Sequence, residues 1–78
     1  MRDRVSEAIV ERLMDKFKEL RKARGLSHEQ LAQLSSVSRP MISFMESHHR
    51  ISSILVCLKV ARALDVDLAA LLLEVSRE

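Results

Sequence analysis

Residues 26–46 read LSHEQLAQLSSVSRPMISFME. Two short helical patterns sit here, with only Ser35-Ser36-Val37 between them. Ser27 opens the first, and Gln30 follows at the spacing of a capping box. Leu31 and Leu34 supply its apolar side, and Ala32 allows another helix to approach closely. Ser38 opens the second. Pro40 lies in its first turn, where a missing N–H loses no intrahelical bond. Ile42 and Met45 are three apart and are expected to point inward. A chain that needed only a core would favour longer helices. Two short ones joined by a tight turn cross steeply, an arrangement in which the first can lie across a duplex backbone while the second enters the major groove.

The flanks read as helix too. Val5, Ile9, Leu13, Phe17 and Leu20 recur every three or four residues, giving a long helix over about 4–24. Asp3 or Ser6 is its cap. Gly25, the one glycine, ends it after Arg21-Lys22-Ala23-Arg24. His48-His49-Arg50 reads as a loop. Ser52 or Ser53 starts a fourth helix, with Leu55, Leu58, Val60, Ala61 and Leu64 as its buried side. Asp67 caps a fifth running to about Val75.

The composition agrees with this. The chain has 78 residues, 47% hydrophobic and 31% charged, with one Gly and one Pro. That suits one compact all-α domain over residues 1–78. It has neither internal repeat nor linker. Cys57 is alone, flanked by Val56 and Leu58, and reads as a core thiol in a reducing compartment. There is no membrane-length apolar run, and Arg2, Asp3, Arg4, Glu7 and Glu11 break any signal-peptide core. The chain therefore reads as cytoplasmic, with no membrane partner. The net charge is +2. The basic excess lies in the middle: Arg39, Arg50, Lys59 and Arg62 face only Glu46 over residues 38–62. Nucleic acid favours such an asymmetry.

The outward side of the third helix carries Arg39, Pro40, Ser43 and Ser47, with Met41 and Phe44 at its edges. Arg39 alone there has the fork for a bidentate bond to guanine, and Pro40 and Phe44 suit thymine methyl groups. Phe44 is either half-buried filler or a base or partner contact. Ser43 and Ser47 are candidate base contacts. Ser38, His28, His49 and Arg50 are candidate phosphate contacts, His28 because it starts a helix. Neither a phosphate loop nor a nucleophile with a nearby base is visible, so no enzyme is read here. Adjacent His48 and His49 make a poor metal pair. Neither a cofactor nor a small-molecule ligand is expected.

The linked pieces L-R-x-x-R-G-L-S, E-x-L-A, V-S-x-x-x-I-S-x-x-E and A-x-A-L occur in order over FKELRKARGLSHEQLAQLSSVSRPMISFME and SILVCLKVARALDVDLAALL. In these pieces the chain resembles the Cro- and phage-repressor-like (XRE) helix-turn-helix proteins, over about residues 13–73. The resemblance implies a five-helix, lambda-repressor-like fold, here with an extended N-terminal helix and a helix-turn-helix over about 27–47. It implies a sequence-specific transcriptional regulator that binds double-stranded DNA at a short palindromic operator, as a homodimer, with the recognition helix at about 38–47. It also implies an ion pair between Arg21 and Glu46. Four positions depart from the family habit. Ser36 and His48 stand where glycine is usual, Ser52 where proline is usual, and His28 where a phosphate-binding glutamine is usual.

For dimerisation the expected surface is Leu68, Leu71, Leu72 and Val75 on the fifth helix, with Val5 and Ile9 as a second candidate. Two rival functions remain. One is a protein-interaction module, antitoxin-like or docking a partner regulator through Pro40, Met41 and Phe44. The other, weaker, is a structural oligomerisation unit.

Overall fold

The computed structural model describes residues 3–48 and 52–78. Five helices follow in order: α1 Arg4–Ala23, α2 His28–Ser35, α3 Arg39–Glu46, α4 Ile54–Ala63 and α5 Leu68–Ser76. Each begins where a short polar side chain occupies an otherwise orphaned backbone N–H. Asp3 accepts from Ser6 N, Ser38 from Met41 N, Ser53 from Val56 N and Asp67 from Ala69 N. Ser27 and Gln30 form a complete capping box.

The helix ends are equally local. Gly25 has φ +66°, and Leu26 N donates to Arg21 O at 3.1 Å, closing α1 with a Schellman-type turn. The α4–α5 turn repeats that pattern. Val66 N donates to Ala61 O at 2.9 Å, but Asp65, with φ +59°, holds the glycine-like position. Ser36 (φ +59°) and His48 (φ +61°) are left-handed as well. These are two of the positions where the family usually has glycine. A left-handed L-residue costs about 1–2 kcal/mol, so the surrounding contacts must impose the conformation.

The core joins Leu13, Met14 and Phe17 of α1, Leu31 of α2 and Val37 of the turn to Ile42 and Met45 of α3. Cys57, Val60, Ala61 and Leu64 close it from the α4 side, with Leu68, Leu71 and Val75 from α5. Helix α1 packs against α3 and α5, α2 against α3 and α4, and α4 against α5. Arg12 Nε donates to Val75 O at 3.0 Å, and Lys16 reaches Glu74 at 3.2 Å, tying α1 to the end of α5.

Several expected core positions face outward. Val5 is 71% exposed, because α1 projects past the helices it packs on. Leu34 is 60% exposed, and Ser35 takes the inner place one turn after Leu31. The Ser35 hydroxyl donates to Leu31 O at 2.7 Å, so its burial leaves no unmet donor. On α4, Leu55 and Leu58 are exposed. That helix carries two apolar stripes, and the inner one is Cys57, Val60, Ala61 and Leu64, spaced 3, 1 and 3 apart. That inner stripe is buried in the core, while Leu55 and Leu58 stay outside.

The dimer surface expected on α5 needs correction. Leu68, Leu71 and Val75 are buried within the chain itself. They form the inner face of α5 and complete the monomer core, so they offer no outer patch. Leu72 is half-buried and packs against the same core, leaving Leu73 as the exposed leucine of that helix.

Candidate nucleic-acid interface

Helix α3 is aimed by an ionic cluster at its inner, C-terminal end. Arg21 reaches Glu46 through two nitrogens: Nε donates to Oε2 at 2.7 Å and Nη2 to Oε1 at 2.9 Å. Its Nη1 donates to Leu26 O at 2.7 Å, in the turn leading into α2. The guanidinium therefore binds α3 and the start of α2 at once. The pair is 11% and 7% exposed on its two side chains. Burial pushes the Glu46 carboxyl up, but hydrogen bonds from Arg21 and then His28 outweigh it and hold the carboxyl below its usual range. The bond to Glu46 likewise raises the Arg21 guanidinium.

His28 is the third member. Its Nε2 lies 3.0 Å from Glu46 Oε1, and the side chain remains 32% exposed. The ring expected to reach outward for phosphate is thus anchored inward through one nitrogen. Neighbouring cations come from α1: Lys18 and Lys22 line one concavity with Arg21, His28, Ser43, Glu46 and Ser47. Sequence reasoning passed over these lysines. Their signal was the four-residue spacing around Arg21, which puts both on the side of α1 that Arg21 turns to α3. Among the described residues neither makes an ion pair.

The outward side of α3 begins with Arg39, exposed at the first helical position. Arg39, Pro40, Ser43 and Phe44 line a shallow hollow with His28. The side chains of Arg39 and Ser43 bond to nothing among the described residues. Phe44 is 39% exposed, between filler and contact. Met41 packs against the core, which reduces the expected apolar docking patch to Pro40 and Phe44. The Ser38 hydroxyl accepts from Met41 N at 3.2 Å and keeps its own hydrogen. Ser47 has used its hydrogen on Ser43 O at 2.9 Å, leaving acceptor capacity alone. His48 turns to α1, with Nε2 2.8 Å from Asp15 Oδ1. His49 and Arg50 lie outside the described residues.

A short α2 packed on α3, a capped and outward-facing α3, and a buried Arg–Glu pair behind it together match one pattern. The family model described as helix-turn-helix covers residues 17–71. The chain belongs to the Cro- and repressor-like (XRE) helix-turn-helix family. That family comprises DNA-binding helix-turn-helix regulators. No match was found among curated proteins or among solved structures. Among the described residues, no helix is long and apolar enough to cross a membrane, and no cluster of His, Cys, Asp and Glu is arranged to hold a metal ion.

Proposed function

We propose that this helix-turn-helix protein is a sequence-specific transcriptional regulator of double-stranded DNA, with α3 in the major groove. The observation that carries it is the exposed side chains of Arg39 and Ser43 on α3, beside Lys18 and Lys22, all four without a side-chain partner among the described residues. Unpaired donors on a helix held from behind are what base edges and phosphates require. Arg39 is the principal base reader. Ser43 and Ser47 offer further polar contacts, and Pro40 and Phe44 meet thymine methyls. His28, Ser38, His49 and Arg50 hold phosphates together with the two lysines.

The protein acts as a homodimer on a short palindrome, with its two α3 helices about 34 Å apart to match one DNA turn. Its contact surface is the outer stripe of α4, where Ile54, Leu55 and Leu58 form an exposed apolar patch. Selecting bound duplexes from a random pool tests the reading. The selected sites should share a palindrome, and affinity should fall steeply with added salt. No detectable binding to any duplex at low salt would sink it. Sedimentation as a monomer at high micromolar concentration would remove the dimer and leave DNA binding untouched.

A further inference from the structure

His28 stands at the first position of α2 with its two ring nitrogens in different situations. Nε2 lies 3.0 Å from Glu46 Oε1, which also accepts from Arg21 Nη2 at 2.9 Å. An ionised carboxylate only accepts hydrogen bonds, so Nε2 carries a hydrogen. Among the described residues, every buried side-chain nitrogen or oxygen has a partner. Nδ1 has none among the described residues, so it is not fully buried, on a side chain 32% exposed. In the neutral ring Nδ1 then holds a lone pair, which repels a phosphate oxygen. Only the imidazolium has hydrogens on both nitrogens.

We propose that DNA binding by this protein takes up one proton at His28: Nε2–H stays on Glu46, and Nδ1–H, formed on protonation, donates to a phosphate. This rests on the DNA-binding reading above and adds a pH dependence to it. The groups around the ring favour a switch. From α1, Lys18, Arg21 and Lys22 share its concavity, and from α3 come Arg39 and Glu46. Glu29 is its neighbour on α2. Glu46 holds Nε2–H and shares its carboxylate with Arg21. A phosphate facing Nδ1 beside these cations accepts from the ring only when both nitrogens carry hydrogen.

The sign follows from linkage. If the bound ring holds its proton to higher pH than the free ring, affinity is full below both midpoints and falls as pH rises between them. The test uses a fluorescein-labelled mixed-sequence duplex, titrated at constant ionic strength across the range of about pH 5–8 where histidine titrates. Wild-type affinity should fall about tenfold per protomer from the acid to the alkaline end, for a bound midpoint about one unit higher. Glutamine has a permanent N–H donor, so His28→Gln should lose this tenfold change and keep only what His49 contributes over the same range. Circular dichroism checks that the variant keeps its helices.

A second measurement needs no variant. The His28 ring resonance of the wild type, titrated with and without the duplex, should move its midpoint upward by about one unit when DNA is present. A wild type that binds in a salt-dependent but pH-independent way overturns the proposal alone. So does a pH dependence as large in His28→Gln as in the wild type, or a ring midpoint that DNA leaves in place. Absence of binding at low salt and every pH overturns the DNA-binding reading as well.

Discussion

The two sides of α3 are eight residues of one helix under opposite rules. Inside, Ile42 and Met45 are each 2% exposed, and Glu46 has both oxygens filled. Outside, the side chains of Arg39 and Ser43 have no partner among the described residues. The inner side is finished without a ligand, and the outer side is not. Such a difference separates what holds a recognition helix from what it is held for. Inner side chains should therefore govern folding, and outer ones should govern binding, with little overlap.

The largest effect is expected from the inner side. Glu46→Gln preserves shape but leaves Arg21 buried without its counter-charge, which costs about 3–5 kcal/mol. A domain of this size has stability of the same order, so the variant should be largely unfolded or show a much lower urea midpoint. The wild type should lose the same contribution in acid. Glu46 is held below the usual glutamate range, so the pair's contribution is complete above the unfolded-state value, about 4.3. It is lost as pH falls through the lower folded value. An unchanged midpoint in Glu46→Gln would mean that the cluster aims α3 without stabilising the fold.

The next effect belongs to the outer side. Arg39→Ala should weaken binding to a selected site by about 1–3 kcal/mol and relax the choice at one base pair. It should leave the unfolding midpoint alone, because Arg39 is exposed and Ser38 still caps the helix. Equal losses on selected and scrambled duplexes would reassign Arg39 to phosphate. The site would then be read by the apolar side chains or through DNA shape.

Local chemistry made much of this arrangement legible in the sequence. Ser27, Ser38, Ser53 and Asp67 cap helices because the groups they satisfy lie two or three residues away. The Arg21–Glu46 pair, 25 residues apart, was implied by the resemblance to the repressor family rather than by local spacing. What stayed hidden depended on which of two faces a tertiary neighbour would cover. Helix α4 offers Leu55 and Leu58 or Cys57, Val60, Ala61 and Leu64, and periodicity alone cannot choose. The fifth helix misled for the same reason: its apolar stripe is equally suited to a core and an interface. His28 was expected at phosphate because it begins a helix. Its inward bond joins residues 18 apart, a distance at which spacing carries no signal. Asp65 gave no warning of a left-handed turn, whereas Gly25 announced the same geometry by its side chain's absence.

The smallest effect tests the joint between the two sides. Ser36, exposed with φ +59°, sets the direction in which the chain enters α3. Its neighbours supply the restraint: Val37 is buried, and its N–H donates to Ser35 Oγ at 3.3 Å. The Ser36 side chain bonds to nothing among the described residues. The turn should therefore keep its shape when the strain is removed. Ser36→Gly relieves the Cβ–carbonyl crowding of a left-handed residue, about 1–2 kcal/mol. It also frees the unfolded chain by about 0.5–1 kcal/mol. The balance is a stabilisation of about 0.5–1 kcal/mol, readable as a higher urea midpoint. Ser36→Ala keeps the Cβ and should change stability little, so the difference between the variants isolates the crowding. Neither should alter affinity for a selected duplex, because Val37 and the Arg21–Glu46 cluster still fix where α3 points. Weaker DNA binding by a stabilised Ser36→Gly would mean that the serine itself holds the helix in register, and that the two sides of α3 are not independent.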